Sequence, residues 1–103
     1  MSFPLLKAGS LLAGQHSPAG EQKALVLLDK SGQKVLYKTF RAGEVMPTHH
    51  APVDVFVAVL VGRLIITQEG QPTAVTAGDY AIIPAGAPHS LHCLDDARIL
   101  IFR

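Results

Sequence analysis

The sequence predicts an all-β fold, an antiparallel sandwich or barrel, and three observations lead to this prediction. Brief segments rich in β-branched and aromatic residues recur along the chain. Turn-like runs such as "DKSGQK", "QEGQP" and "PAGAP" separate these segments. No segment shows the apolar period of a long amphipathic helix. The 103 residues are enough for one domain with one core, so we expect a single domain over 1–103.

Each expected strand is a run of apolar or β-branched residues, and a turn-like segment marks its end. "ALVLL" and "KVLYKTF" flank "DKSGQK", and "RLIITQ" and "TAVT" flank "QEGQP". "YAIIP" ends at Pro84, which has no N–H to give to a sheet. "VGR" and "LDDA" are expected to be further turns. The expected strands are 24–28, 34–40, 53–60, 63–68, 73–76, 80–84, 89–94 and 98–102.

The segment "VDVFVAVLV" is apolar on both faces of its predicted strand. One face carries only valines, and Asp54 is the one polar residue of the other. Since a strand that is wet on one side alternates polar and apolar residues, we expect this strand to be covered on both sides. The chain is 49% hydrophobic, with a mean hydropathy of +0.30. We therefore expect a homodimer; the alternative is an ordinary central strand of a sandwich.

Composition excludes several classes of partner. The 9 basic and 8 acidic side chains are scattered and give a net charge of +1, which does not favour nucleic-acid binding. No apolar run is long enough to span a membrane. A single cysteine excludes an internal disulfide framework, and "MSFPLLKAGSLLAG" is unlike a signal peptide. We expect a soluble, cytoplasmic protein.

The stretch "GDYAIIPAGAPHSLHC" contains a rigid turn that leads into a histidine. Gly86 can adopt the positive φ of a tight return, and Pro88 restricts the backbone just before His89. His89 therefore begins the next strand with little backbone freedom. Leu91 and Cys93 share its face of that strand.

The same stretch resembles the second motif of the cupin superfamily. That motif runs glycine, five residues, proline, one residue, glycine, two residues, histidine. Gly78, Pro84, Gly86 and His89 fill these positions without a gap. The family's usual asparagine, four residues after the histidine, is Cys93 here.

The segment "AGEVMPTHHAPVDVFVAVLVGRL" resembles the first cupin motif in spacing. Its frame falls on Gly43, His49, Ala51, Val55 and Gly62. The resemblance covers about 35–102, after a short N-terminal extension of about 1–22, in which His16 is expected to lie in a surface loop. It implies a single cupin domain with a jelly-roll β-barrel of two packed antiparallel sheets.

The usual site of the family is a divalent metal inside the barrel, held by three histidines and a carboxylate. Carried over to this chain, only His49 and His89 match ligand positions, because Ala51 and Val55 replace the second histidine and the glutamate. The resemblance implies either one divalent ion (zinc, nickel, manganese or iron) or a metal-free histidine pair that holds a water or a small acid.

Further candidates depend on which side chains face inward. A bulge at Pro52 would turn His50 and Asp54 into the barrel and make them additional ligands. Cys93 is either a soft ligand beside His89 or a small buried residue. The expected pocket lining is Val55, Val57 and Leu91 with Phe40 or Tyr37.

Three functions are compatible with these residues. The first is a small metal-dependent enzyme, such as an oxygenase, an isomerase or a decarboxylase. The second is a ligand-binding or sensing protein without catalysis, because a mostly apolar pocket with a few polar groups suits a small, partly apolar ligand with a carboxylate or carbonyl head. The third is an interaction module that works through its dimer face.

Overall fold

The computed structural model describes residues 3–12 and 24–103, and every regular element in these ranges is a β-strand. The all-β prediction is confirmed. His16 and most of the expected N-terminal extension lie outside the described residues. No helix in the described ranges could cross a membrane. The strands are β1 Leu25–Lys30, β2 Gln33–Phe40, β3 Val45–His49, β4 Val55–Gln68, β5 Gln71–Thr76, β6 Tyr80–Ile83 and β7 His89–Phe102.

Two long strands, β4 and β7 with 14 residues each, run through both walls of a barrel. The first wall has the order β1-β2-β7-β4-β6 and uses the second half of β7 and the first half of β4. The second wall has the order β3-β7-β4-β5 and uses their other halves. All these pairs are antiparallel, as expected. The two walls pack with their apolar faces together.

The runs "VGR" and "LDDA" are parts of continuous strands, so their prediction as turns is wrong. The register between β4 and β7 shifts repeatedly between Val59 and Leu64, where Gly62 has a φ of 89°. A bulge bends a strand and increases its twist. The chain therefore passes from one wall into the other without leaving the sheet. The residue types of a bulged strand and of a loop are alike here, so the sequence alone does not distinguish the two.

Strand β3 was not expected, because "VMPTH" contains a proline and lacks an apolar alternation. It pairs only with β7 and so forms an edge of the second wall, where a proline is tolerated. This pairing places His49 opposite His89. The unexpected strand is therefore the element that assembles the histidine pair.

The core lies between the walls and follows the alternation of the long strands. In β4, Val55, Val57 and Val59 are buried before the bulge, and Leu64 and Ile66 after it. The change from odd to even positions reflects the register shift, which keeps the apolar side chains inward. The buried residues of β7 all occupy odd positions, namely His89, Leu91, Cys93, Ala97 and Ile99.

The outer face of the first wall is apolar and open in the single chain. Phe56 stacks on Tyr80 and meets Phe102 edge-on, with ring centroids 5.5 Å apart in each pair. Tyr80 is 64% exposed and Ile82 is 61% exposed. The strand predicted at 53–60 is the first half of β4. One of its faces lines the barrel, and the other belongs to this apolar surface.

Candidate functional site

The turn before His89 is held by contacts to the segment that precedes β4. The Gly86 N–H donates to the Ala51 carbonyl at 2.8 Å, and Gly86 has a φ of 78°. The Ala85 N–H donates to the Asp54 carboxylate at 2.8 Å. These contacts tie the turn to the segment that leads into β4. His89 leaves the turn as the first residue of β7 and is only 6% exposed.

His49 and His89 form the polar centre of the site. His49 is the last residue of β3 and pairs directly with His89 in the sheet. Their rings have centroids 4.3 Å apart and are inclined at 59°. His49 is exposed whereas His89 is buried. The pair therefore extends from the surface into the barrel.

The backbone sets which nitrogen of each ring faces a ligand. Nδ1 of His49 lies 2.9 Å from the Pro47 carbonyl oxygen, and Nδ1 of His89 lies 3.0 Å from the Ala87 carbonyl oxygen. A carbonyl oxygen only accepts hydrogen bonds, so Nδ1 carries the proton in both rings. When the rings are neutral, both Nε2 atoms carry a lone pair that can accept a hydrogen bond or bind a metal.

A cavity of about 230 Å³ lies between the two walls and includes both histidines. Four residues of the predicted lining contribute to it, namely Phe40, Val55, Val57 and Leu91. Met46, Ile66 and Ile83 extend the apolar surface. The volume is below the range of about 300–1,000 Å³ that is usual for ligand pockets. The cavity therefore suits a small ligand.

Tyr37 is not among the residues that line this cavity, which corrects its prediction as pocket lining. Strand alternation gives the reason, because Phe40 faces inward and Tyr37, an odd number of residues away, takes the opposite face of β2. Tyr37 pairs with Leu100 and donates its hydroxyl to the Leu11 carbonyl at 2.8 Å. The N-terminal segment 3–12 thus reaches the outer side of the barrel.

Sequence reasoning missed Lys38, which faces the cavity on the same side of β2 as Phe40. Lys38 is only 6% exposed, and its Nζ lies 5.1 Å from the centroid of the Phe40 ring. Burial lowers the pKa of Lys38, and the nearby charge of Glu44 partly opposes this change. The signal was available, since any register that turns Phe40 inward also turns Lys38 inward.

The other predicted ligands occupy different places. His50 is exposed and lies in the lining beside His49. Asp54 is exposed and outside the lining, where its carboxylate accepts from Ala85. Asp54 lies between β3 and β4, and the register irregularity of β3 falls between Met46 and His49, before Pro52.

Cys93 lies in the core, away from the cavity lining. It is fully buried, and its Sγ donates to the Asp95 carbonyl at 2.9 Å. Burial raises the pKa of its thiol to about 11, with smaller contributions from the charges of Asp96, Glu44 and Asp95. Cys93 shares the inner face with His89, as expected, but its environment disfavours the thiolate that metal binding requires.

We expect Cys93 to resist alkylation in the folded protein. A thiol with a pKa of about 11 has about 100-fold less thiolate at about pH 8 than an ordinary cysteine, before steric protection is counted. Labelling by iodoacetamide, followed by mass spectrometry, should be slow in buffer and complete in denaturant. Rapid labelling of the folded protein would contradict this placement of the thiol.

The residues present do not supply the family's full set of metal ligands. Ala51 and Val55 occupy two of the four positions. The described residues contain no group of three or more histidine, cysteine, aspartate or glutamate side chains placed to hold a metal ion. A catalytic zinc usually has three protein ligands. The two histidines are therefore an incomplete site for the four-ligand metal.

The fold is a jelly-roll barrel with an internal site. Its defining features are the long strands β4 and β7, which run through both walls, and the rigid turn that directs His89 inward. Residues 36–102 match the family model described as Cupin domain (Cupin_2). The chain belongs to the cupin superfamily, which agrees with the resemblance of its two motifs.

Known proteins similar to the chain include one enzyme and several cupin structures. Quercetin 2,3-dioxygenase from Bacillus subtilis is 33% identical over 91 residues, which cover 84% of this chain and 26% of that protein. The chain thus spans about a quarter of the length of this curated relative. A conserved protein of unknown function from Streptococcus pyogenes matches with a TM-score of 0.82 at 21% identity, covering 97% of this chain and 88% of that one. A cupin 2 conserved barrel domain protein from Leptotrichia buccalis matches with a TM-score of 0.77 at 27% identity, covering 85% and 43%.

Proposed function

We propose that the protein binds a small, partly apolar organic molecule inside its barrel, with His49 and His89 as the polar end of the site. The observation that carries this proposal is the histidine pair, with ring centroids 4.3 Å apart, at a cavity of about 230 Å³ with mostly apolar walls. Such a combination of apolar surface and a few polar groups is typical of small-molecule sites.

The histidine pair suits one polar group of a ligand. Both Nδ1 atoms are engaged by backbone carbonyls, so the Nε2 atoms remain for the ligand. A neutral imidazole accepts at Nε2, and a protonated one donates. A hydroxyl or carboxyl group of a ligand can therefore donate a hydrogen bond to either Nε2 atom. This chemistry requires no metal.

The test is ligand binding by the wild type and by two histidine variants. Butyrate, hexanoate and benzoate, with the matching alcohols and ketones, are titrated by calorimetry and by thermal shift. We expect His89→Ala to weaken binding by about 10-fold, the effect of losing one or two buried hydrogen bonds. His92→Ala is the matched control, because His92 is exposed three residues further along β7. Equal binding by the wild type and His89→Ala would refute the proposal.

A metal-dependent activity is the second candidate. The observation in its favour is that both Nδ1 atoms donate to carbonyls, as the second ring nitrogen of a metal-bound histidine commonly does. The similarity to a protein named as a dioxygenase points the same way. The incomplete ligand set weighs against it, since only the two histidines occupy ligand positions.

Elemental analysis separates the two candidates. Our proposal expects well under one metal per chain after purification without chelator, and no change in thermal stability when zinc, nickel, manganese or ferrous iron is added. About one metal per chain, lost in both His49→Ala and His89→Ala, would favour the metal-dependent candidate instead. Assays of oxygen consumption and proton transfer would then follow.

We also propose that the protein is a homodimer that buries the outer face of its first wall. Tyr80 and Ile82 are large, exposed and adjacent to the Phe56 and Phe102 rings, and exposed apolar patches of this kind often mark interfaces. Light scattering after size-exclusion chromatography should give the dimer mass for the wild type and the monomer mass for Ile82→Lys. Val45→Lys, at an exposed apolar position of the second wall, should remain dimeric. A monomeric wild type would refute this assignment.

A further inference from the structure

Strand β1 is an edge of the first wall and lacks the features that usually protect an edge. Within the described ranges it pairs with β2 alone. The other edges are protected, since β3 contains Pro47, β5 contains Pro72 and β6 has only 4 residues. Strand β1 contains no proline and begins with the apolar run "LVLL". Its outer edge is therefore a template on which another strand can pair.

Both faces of β1 are open as well as its edge. Every residue of the strand is exposed. Its four large apolar side chains are between 44% and 50% exposed, namely Leu25, Val26, Leu27 and Leu28. A strand that is wet on one side normally places polar residues on that side. The unbroken apolar run therefore indicates that a further element covers β1 on both faces.

The N-terminal segment 3–12, which we call the arm, carries a second open apolar surface. Phe3 is 83% exposed, and Leu5 and Leu6 are each 91% exposed. The barrel of the same chain leaves these side chains uncovered. Lys7 is the only charged residue of the arm. Large apolar side chains that are grouped and exposed to this extent are typical of an interaction surface.

The arm leaves the barrel beside β1. The Tyr37 hydroxyl donates to the Leu11 carbonyl at 2.8 Å, and Tyr37 pairs with Leu25, the first residue of β1. The part of the arm before Leu11 can extend over about 26 Å, whereas a strand of the length of β1 spans about 20 Å. The arm is therefore long enough to follow such a strand from end to end.

We infer that each arm crosses to a second copy of this chain and pairs along the free edge of the partner's β1. This inference rests on the proposed homodimer and adds the segments that form it. The first wall, whose outer face the homodimer buries, ends at β1, so the exchange of arms extends the same interface. A twofold axis beside this edge makes the exchange reciprocal and closes the assembly at two chains.

The residues of the arm suit an added outer strand. Phe3 and Leu5 share one face of an extended arm, and Leu6 takes the other. Apolar side chains thus meet the apolar residues of β1 on both faces of the sheet, as cross-strand pairs. Pro4 is compatible with this position, because the outermost strand of a sheet tolerates a proline.

The area that the exchange buries is sufficient for a stable dimer. The three large side chains of one arm bury about 300–500 Å². The strand that the arm covers loses a similar area, and the contact occurs twice in the dimer. The total of about 1,200–2,000 Å² equals the usual size of a specific protein interface.

The first test replaces leucines that are almost fully exposed in the single chain. Sedimentation over a range of concentrations gives the dimer dissociation constant of the wild type, Leu5→Ser and Leu6→Ser. Each substitution removes a buried leucine from both arms, so each should weaken the dimer by about 100-fold. Lys7→Ser is the matched control, because it changes an exposed polar position of the same arm and should leave the constant unchanged.

The second test identifies the chain that the arm contacts. Leu6→Cys and Leu27→Cys are prepared as separate proteins, mixed and treated with a short bismaleimide. Mass spectrometry should find a link between the two proteins, which requires contact between different chains. Cys93 is buried and should not react. Gln71→Cys, at an exposed position of β5, replaces Leu27→Cys in the control and should give no link to the arm.

The outcomes separate this inference from the proposed homodimer. A dimeric wild type with the same dissociation constant in both serine variants would overturn the inference and leave the homodimer standing. A link that forms only within a chain carrying both Leu6→Cys and Leu27→Cys would also overturn it, because the arm would then cover its own barrel. A monomeric wild type would contradict the homodimer and this inference together.

Discussion

Gly62→Ala should destabilise the protein by about 3–5 kcal/mol, a large part of the stability of a small domain. Gly62 lies in the bulge of β4 with a φ of 89°, which disfavours any side chain. A Cβ there would overlap the Asp96 carbonyl oxygen and lie 2.7 Å from the Ala97 Cα. Both obstacles are backbone atoms of the paired β7, so relief requires the two long strands to move apart.

Gly70→Ala is the control that separates conformation from collision. Gly70 has a φ of 75°, but a Cβ there would have no neighbour within 4 Å. It should cost about 1–2 kcal/mol, for the backbone conformation alone. Urea unfolding followed by circular dichroism gives both free energies. Equal losses in the two variants would show that the close approach of β4 and β7 at Gly62 contributes nothing.

The bulge at Gly62 also matters for the site. Val55 and Val57 precede it and Ile66 follows it, yet all three line the same cavity. Only a strand that bends from one wall into the other can place residues from both of its halves around one ligand. We expect a folded Gly62→Ala protein to bind ligands less tightly for this reason.

Lys38→Met should remove a pH dependence of the free energy of unfolding, because it replaces a buried titratable side chain by an apolar one of similar length. Burial lowers the pKa of Lys38 below its ordinary 10.5 in the folded state. Between the two pKa values the unfolded chain binds more protons, so the stability of the wild type rises with pH in that window. The methionine variant lacks this rise.

The measurement is the difference in unfolding free energy between Lys38→Met and the wild type as the pH increases toward 10.5. We expect the stability of the wild type to rise relative to the variant over this range, because the amine loses its proton at a lower pH in the folded state than in the unfolded chain. Cys93, whose pKa is raised to about 11, is present in both proteins, so its own titration cancels in the difference. A difference that stays constant with pH would show that the folded state does not disfavour the charged amine.

The histidine pair could be predicted in part because its constraints are local. Pro88 and Gly86 restrict the backbone before His89 whatever surrounds them, and the alternation of a strand then sets the faces of Leu91 and Cys93. The partner of His89 was harder to predict. The choice between His49 and His50 depended on β3, an edge strand with a proline that shows no apolar pattern of its own.

The sequence by itself determined the all-β class, the turn that aims His89 and most of the apolar lining, because glycine, proline and strand alternation act over a few residues. Only the tertiary structure decided that β4 and β7 are continuous, that Tyr37 is buried on the face of β2 opposite the cavity, and that Lys38 lines the cavity. Each of these depends on pairing between strands far apart in the chain, such as Lys38 with Ile99. Side-chain facing changes with every one-residue shift in register, so the basic lining of the cavity emerges only when the walls are assembled.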